Sequence, residues 1–396
     1  MRMVIHGLVL IIAIITWSSA LAQPKVGPAP QSVGDEYLAD PPGVRVDPWV
    51  QGLEAPWSLV FLPDGRALVS ERPGRIRLIR DGRLESEPYA KVTISEGLAG
   101  VFDIIVRVVV GGEGGLMGLA FHPDFPNSPF VYAMHTYESE QGPRNRVVRF
   151  VDRGNRGEFD RVIFDNIPGG LNHNGGRIGF GPDGMLYITA GETFHAEFAP
   201  DLESLGGKIL RLTPEGDVPE DNPFPGSPIY SFGHRNPQGL AWHPETGDLF
   251  VSEHGPSSEY GLFAHDEINV IQPGHDYGWP RAVGAPGKAP YTDPIIVWKE
   301  VTTPPSGMTF FRGDLYVATL RSEALLRIGL DGADGVWRAK RIERWFSENE
   351  HGGRYGRLRD AVAGPDGALY VLSSNKDGRG QPRGADDTVY RIVFSP

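Results

Sequence analysis

From residue 44 onward, short apolar runs of alternating or β-branched character recur along the chain, each broken by Gly, Pro, Asp or Asn. The clearest pair is Arg177–Phe180 and Met185–Thr189, joined by Gly181-Pro182-Asp183-Gly184. Proline presets φ, aspartate caps locally and glycine accepts φ > 0, so this joint predicts a β-hairpin. Related joints follow Phe61, Phe121, Trp242, Phe311 and Ala363, mostly as Pro-Asp-Gly or a near variant. With Phe180 these make six copies at spacings of roughly 50–70 residues, each followed by a variable loop and a third strand.

A β-rich repeat of that period predicts one propeller blade per copy. The expected fold is all-β, a single six-bladed β-propeller of four-stranded antiparallel blades spanning residues 44–396. A two-sheet sandwich is the competing architecture, but it leaves the recurring turn unexplained. Val44–Trp49 precedes the first copy and is placed to pair with the last blade, closing the ring without an exposed edge. Residues 23–43, rich in Pro and Gly, read as a loose arm. Two insertions interrupt the pattern. Val92–Gly115 carries the apolar run Phe102–Val110, and Pro280–Pro305 reads as a wall or lid over one face.

Composition narrows the function classes. Residues 1–22 have the form of a secretory leader: Arg2, the apolar stretch Leu8–Trp17, then small residues from Ser19 to Ala22 before a cleavage point at Gln23. The apolar stretch is short for a membrane-spanning helix, so the expectation is a periplasmic chain without stable membrane insertion. Cysteine is absent, which removes disulfides, thiolate nucleophiles, Cys-ligated metals and covalent c-type haem. A net charge of −12 argues against nucleic acid and suits a monomer or weak homodimer.

Candidate chemistry gathers in the variable loops, because loops at one end of a propeller converge on its axis. Folding the central hairpin about Pro182–Asp183 sets His173 opposite Glu192; a glycine bulge would slip the register and set it opposite Thr193. Either way imidazole and carboxylate approach across strands about 4.8 Å apart. That is a base oriented by an acid, or equally a satisfied surface pair. Arg235 and Asn236, in SFGHRNPQGL, offer a guanidinium fork and an amide for carbonyl or carboxylate oxygens; the plainer reading is a turn arginine paired with a local acid. In SEHGP the carbonyls of Gly255 and Pro256, with Asp266, Glu267 and Tyr277 nearby, suit a hard ion such as Ca²⁺, although an acidic dipeptide is usually only solvated charge. Arg357 and Arg359 alternate at period two and share a strand face, where they repel unless they share an anion. Arg321 could add a third positive charge and a polycarboxylate would satisfy all three, whereas a solvated arginine pair is the ordinary alternative. Gly179-Phe-Gly-Pro-Asp-Gly fits a dinucleotide fingerprint but has no following helix, and His122 and His243 sit in repeat turns.

Together these motifs resemble the soluble pyrroloquinoline quinone (PQQ)-dependent glucose/sorbosone dehydrogenase family, in its periplasmic aldose sugar dehydrogenase branch. The likeness runs from Ala55-Pro-Trp-Ser to Tyr390-Arg-Ile and is most specific in LNHNGGRI, SFGHRNPQGL, SEHGP with DEIN, HDYGWP and GRLRDAV. The resemblance implies a six-bladed propeller, PQQ and Ca²⁺ as cofactors, an aldose substrate and an external electron acceptor. It implies that His173 takes the proton of the sugar C1 hydroxyl, with Glu192 orienting it. Arg235, Asn236 and His254 would lie at the quinone, and Arg321, Arg357 and Arg359 at its carboxylates. Gly255 and Pro256 would hold the catalytic Ca²⁺, while Asp266, Glu267 and Tyr277 lie where some members hold a further one. Glu113 stands where glucose enzymes have a glutamine near the sugar, and Asn172 where they have an acid, which implies altered sugar selectivity. Ser257–His265 lengthens the loop next to the second calcium position. A calcium-dependent lactonase-type hydrolase and a non-catalytic binding propeller remain as alternatives. The first leaves the arginine cluster without a role, and the intact His173, Arg235 and Arg357/Arg359 set weighs against the second.

Overall fold

Each Pro-Asp-Gly joint builds the same turn. Asp64, Asp183 and Asp366 each accept, through Oδ1, the backbone N–H two residues on, at 3.1–3.2 Å. The following Gly65, Gly184 and Gly367 take φ between +74° and +89°, which a side chain would resist. The turn joins the first and second strands of a blade, and the third and fourth strands add outward by antiparallel pairing. His122 and His243 cap two further turns through Nδ1, a purely structural role.

The computed structural model describes residues 23–94, 112–350 and 352–395. Six sheets result, beginning at Pro56–Phe61, Leu116–Phe121, Ile178–Phe180, Pro237–Trp242, Pro305–Phe311 and Leu358–Ala363. They form blades one to six of a β-propeller. Around the axis the inner strands of successive blades touch one another, and between blades three and four the contact is made by the second strand Leu186–Ala190 against Pro237–Trp242. Apolar side chains pack between neighbouring blades, one cluster at each of the six interfaces; Trp57, Tyr132, Ile178 and Leu210, for example, share the core between blades two and three. Val44–Val50 pairs antiparallel with Val389–Phe394 and completes blade six, so the ring closes as expected, by the N-terminal strand.

The axis itself is polar. Arg177 Nη1 donates to Asp360 Oδ2 at 2.9 Å and to Ser58 Oγ at 3.3 Å, while its Nε donates to the Gln238 carbonyl at 3.1 Å. Gly307 makes room for this plug, since a Cβ there would lie 1.8 Å from Asp360 Oδ1.

Two expectations are corrected. The arm is not loose: Lys25–Val26 pairs with Ala282–Val283, and Asp35–Leu38 adds a fifth, parallel strand to blade five. Polar side chains hold it there. Gln31 exchanges two hydrogen bonds with the Val297 backbone, and the Asp35 carboxylate meets the Arg344 guanidinium and Trp298 Nε1. Of Pro280–Pro305, Ile296–Trp298 is the outer strand of blade four instead of a covering loop, while Thr302 and Pro304 do contribute to the wall of a cavity. Residues 1–22 and the run Phe102–Val110 lie outside the described residues. Among the described residues no helix is long and apolar enough to cross a membrane.

Arg344 is almost fully buried, and Asp35 is its carboxylate partner. Asp35→Ala is therefore expected to cost about 3 kcal/mol, the scale for stranding one member of a buried pair, read as a lowered denaturant midpoint. A midpoint equal to wild type would return the arm to a passive role.

Candidate functional site

Because the repeat turns all lie at one end of the propeller, the segments entering first strands and leaving second strands all lie at the other. His173, Arg235 and Arg357 precede or open first strands, whereas Glu192, His254 and Arg379 follow second strands. These segments enclose a cavity of about 520 Å³. Its wall includes Glu113, Asn172, His173, Arg235, His254, Gly255, Pro256, Asp266, Arg321 and Arg357.

The hairpin register resolves in favour of the slipped alternative. Ile178 pairs with Ile188, and continuing that ladder sets His173 opposite Thr193, whose N–H donates to the His173 carbonyl at 3.2 Å. The side chain nevertheless reaches Glu192, because His173 adopts φ +55° and turns out of the strand. Gly191 permits this approach; a Cβ there would sit 2.1 Å from the His173 carbonyl oxygen.

His173 Nδ1 hydrogen-bonds Glu192 Oε1, and Nε2 lies 3.0 Å from Arg235 Nη2. A guanidinium only donates, so Nε2 carries the lone pair and Nδ1 the hydrogen. That is the tautomer a general base needs, with its acceptor nitrogen toward the cavity. The His173 backbone N–H donates to Glu113 Oε2 at 3.1 Å, and the Phe194 ring covers the imidazole with centroids 4.0 Å apart.

Arg235 is buried and held from three sides. Its Nη1 donates to the His254 carbonyl at 3.2 Å, while Nε and Nη2 donate to Glu259 Oε1 at 3.1 and 2.5 Å. Burial would raise the Glu259 pKa, but Arg235 outweighs it and holds the group at about 2. Asn236 stands behind the cavity wall, accepting the Gly175 N–H through Oδ1 at 3.0 Å. Burial pushes His254 down to about 3, so its ring is neutral, and its Nε2 is buried without a hydrogen-bond partner among the described residues.

The two alternating arginines do share an anion, and it belongs to the chain. Arg357 Nε meets Asp377 Oδ2 at 2.9 Å and Arg359 Nη2 lies 3.8 Å from the same oxygen. Arg357 reaches the cavity wall; Arg359 lies deeper toward the axis, bonded to Gln238 Oε1 at 2.8 Å. Burial lowers Arg359 to about 9, and its Nε has no partner among the described residues. Arg321 is exposed at the mouth.

The candidate metal residues divide into two groups. Asp266 accepts the Gly255 N–H at 3.0 Å and the Thr303 N–H at 2.6 Å, bracing the loop that carries Gly255 and Pro256. Burial raises it to about 6. Glu267 faces Glu253 on the adjacent strand, beside a small cavity of about 20 Å³ that Gly255, Pro256 and Tyr277 also border. Burial, together with the Glu253 charge, pushes Glu267 well above the usual carboxylate range. The Tyr277 hydroxyl is committed to backbone, donating to the Val270 carbonyl at 2.7 Å and accepting the Gln272 N–H at 2.9 Å. Among the described residues no three His, Asp or Glu side chains converge as a metal site, so any ion here needs backbone carbonyl donors.

Four residues escaped sequence reasoning. Arg379 donates to Glu113 Oε1 at 2.8 Å and also bonds Asn172 Oδ1, roofing the base. Burial would raise Glu113, but Arg379 and the other cations around it hold it below the usual carboxylate range. Asp377, Glu259 and Phe194 sit in loops without a repeat signature. Their only sequence signal is position, each lying a few residues beyond the end of a second strand.

The glucose/sorbosone dehydrogenase family profile matches residues 53–382. The aldose sugar dehydrogenase YliI of Escherichia coli K12 is 32% identical over 372 residues, covering 86% of this chain and 92% of that protein. Among solved structures, a protein of Thermus thermophilus is 52% identical with a TM-score of 0.79, covering 89% of this chain and 100% of that one. The PQQ-bound aldose sugar dehydrogenase of Streptomyces coelicolor is 39% identical with a TM-score of 0.74, covering 89% and 98%. With a six-bladed ring, a buried histidine–glutamate pair at its axial mouth and a family match across most of its length, the chain belongs to the glucose/sorbosone dehydrogenase family.

Proposed function

We propose that the protein is a periplasmic, PQQ-dependent aldose dehydrogenase that oxidises the sugar at C1 to the lactone and passes electrons to an external acceptor. The observation that carries this reading is the placement of His173 Nε2, held toward a cavity rich in arginine by Glu192 on one side and Arg235 on the other. PQQ, when bound, supplies an electron-poor carbonyl able to accept hydride from C1.

The chain's own groups do the remainder. His173 Nε2 takes the C1 hydroxyl proton, and the Glu192 carboxylate stabilises the resulting imidazolium through Nδ1–H. Arg235, adjacent to Nε2, places positive charge where negative charge develops on oxygen, and Glu259 keeps the guanidinium from swinging away. The unpartnered His254 Nε2 and Arg359 Nε fit a ligand rich in carbonyl and carboxylate oxygens. Arg321 and Arg357 on the wall, with Arg359 behind them, would hold its carboxylates. The carbonyls of Gly255 and Pro256 would hold Ca²⁺ as Lewis acid, and the small cavity between Glu253 and Glu267 has room for a second ion. Glu113 and Asn172, tied together by Arg379, would contact the sugar hydroxyls.

Reconstitution of the purified protein with PQQ and Ca²⁺ should give dye reduction with one or more aldoses from a panel. Absence of PQQ uptake, or uptake without reduction by any aldose, refutes the proposal. His173→Gln should keep PQQ binding and lower kcat by about 10²–10⁴-fold, the range of general-base catalysis; kcat within threefold of wild type would remove His173 from the chemistry. Arg357→Ala should weaken PQQ binding by roughly 10–100-fold, the loss of one charge-assisted contact, and should also lower the unfolding midpoint, because buried Asp377 loses its nearest cation. Unchanged affinity in a PQQ titration would show that this arginine serves Asp377 alone.

A further inference from the structure

Only a few large apolar side chains stand open to solvent among the described residues, and two of them, Phe194 at 56% and Phe263 at 61% exposure, line the cavity that holds His173. Phe194 is the more unusual. It has φ +65° and follows Thr193 at φ +53°, two consecutive non-glycine residues in the left-handed region. Each is strained for a residue that carries a side chain and persists only where the surroundings impose it. Here they do. His195 N–H donates to the Glu192 carbonyl at 2.8 Å, and buried Lys208 ties down the loop through the carbonyls of Phe198, Ala199 and Gly206 at 2.6–3.0 Å. The outcome is a phenyl ring lying against the His173 imidazole, otherwise open to the cavity. Folding gains nothing by leaving such a ring open to solvent, so folding alone does not account for it.

We infer that Phe194 is a substrate-binding platform: the apolar C–H face of an aldopyranose packs on its ring, which presents the C1 hydroxyl to His173 Nε2. A pyranose with equatorial hydroxyls has C–H faces that match an aromatic surface and a polar edge that needs hydrogen bonds. Glu113, Asn172 and Arg379 border the same cavity and serve that edge. This inference rests on the aldose reading above.

The test compares Phe194→Leu, which keeps apolar bulk, with Phe194→Trp, which keeps an aromatic face, in protein loaded with PQQ and Ca²⁺. Phe194→Leu should raise KM for glucose about tenfold with kcat within threefold and PQQ affinity unchanged, and Phe194→Trp should restore KM. Independently of turnover, saturation-transfer NMR with methyl β-D-glucopyranoside, which is blocked at C1, should show transfer from aromatic protons to the sugar C–H face in wild type and Phe194→Trp but not in Phe194→Leu. Unchanged KM and unchanged transfer in Phe194→Leu overturn the inference. So does a fall in kcat at constant KM, which would make the ring a support for His173 alone. A wild type that takes up no PQQ defeats the aldose reading, and the NMR comparison on that protein still decides the platform: transfer lost only in Phe194→Leu supports it, and absence of transfer in wild type overturns it.

Discussion

The propeller is organised around a buried ion pair on its axis. Arg177 from blade three meets Asp360 from blade six, and the contact extends to Ser58 of blade one and Gln238 of blade four. Asp360 also accepts the Leu59 N–H, and the Arg177 guanidinium lies over the Trp57 ring, 4.2 Å from its centroid. Such a pair adds little net stability over an apolar plug, because desolvation offsets the Coulomb gain, but removing one partner strands a charge. Its value lies in geometry. Four blades are referenced to one point, and Gly307 of a fifth blade is held to a bare backbone beside it. Arg359, the residue before Asp360, is thereby set at the floor beneath the cavity.

The two ends of the ring have different work because of chain direction. One end carries the short turns between first and second strands, three of them Asp-Gly and two capped by histidine, all poor in chemistry. The other receives the longer connections, which need not repeat and can carry catalytic groups. The resulting site depends on close backbone approach as much as on side chains. Gly191 lets the His173 carbonyl pass, and Gly255 lies where a Cβ would come within 2.1 Å of the Ala264 carbonyl oxygen. Strained, left-handed residues at His173 and Phe194 turn side chains out of the ladder toward the axial cavity. Charge is balanced internally as well: every arginine facing the cavity wall that meets a partner there meets a carboxylate of this chain, Glu259, Asp377 or Glu113.

Much of this was legible in the residues. The Pro-Asp-Gly turns, the six-fold spacing and the closing strand at Val44 follow from local rules that act over a few positions. His173 and Glu192 were placed together because a hairpin brings fixed offsets opposite one another. The arm was misread because its Pro and Gly content describes local stiffness and says nothing about an Asp35 that meets Arg344 some three hundred residues away. That Arg357 and Arg359 share Asp377 is not legible in their alternation, because Asp377 lies across a hairpin and a loop from the strand that bears them.

The sequence by itself determined the blade, its number and the nearness of His173 to Glu192, since strand alternation, turn chemistry and hairpin offsets are properties of neighbouring residues. Only the tertiary structure decided the register that sets His173 against Thr193, the tautomer imposed by Glu192 and Arg235, and the roof that Arg379 makes over Glu113 and Asn172. Each of these depends on which loops from different blades converge at the mouth of the ring. That convergence is fixed by closure of the whole propeller around its axial ion pair, and no local pattern encodes it.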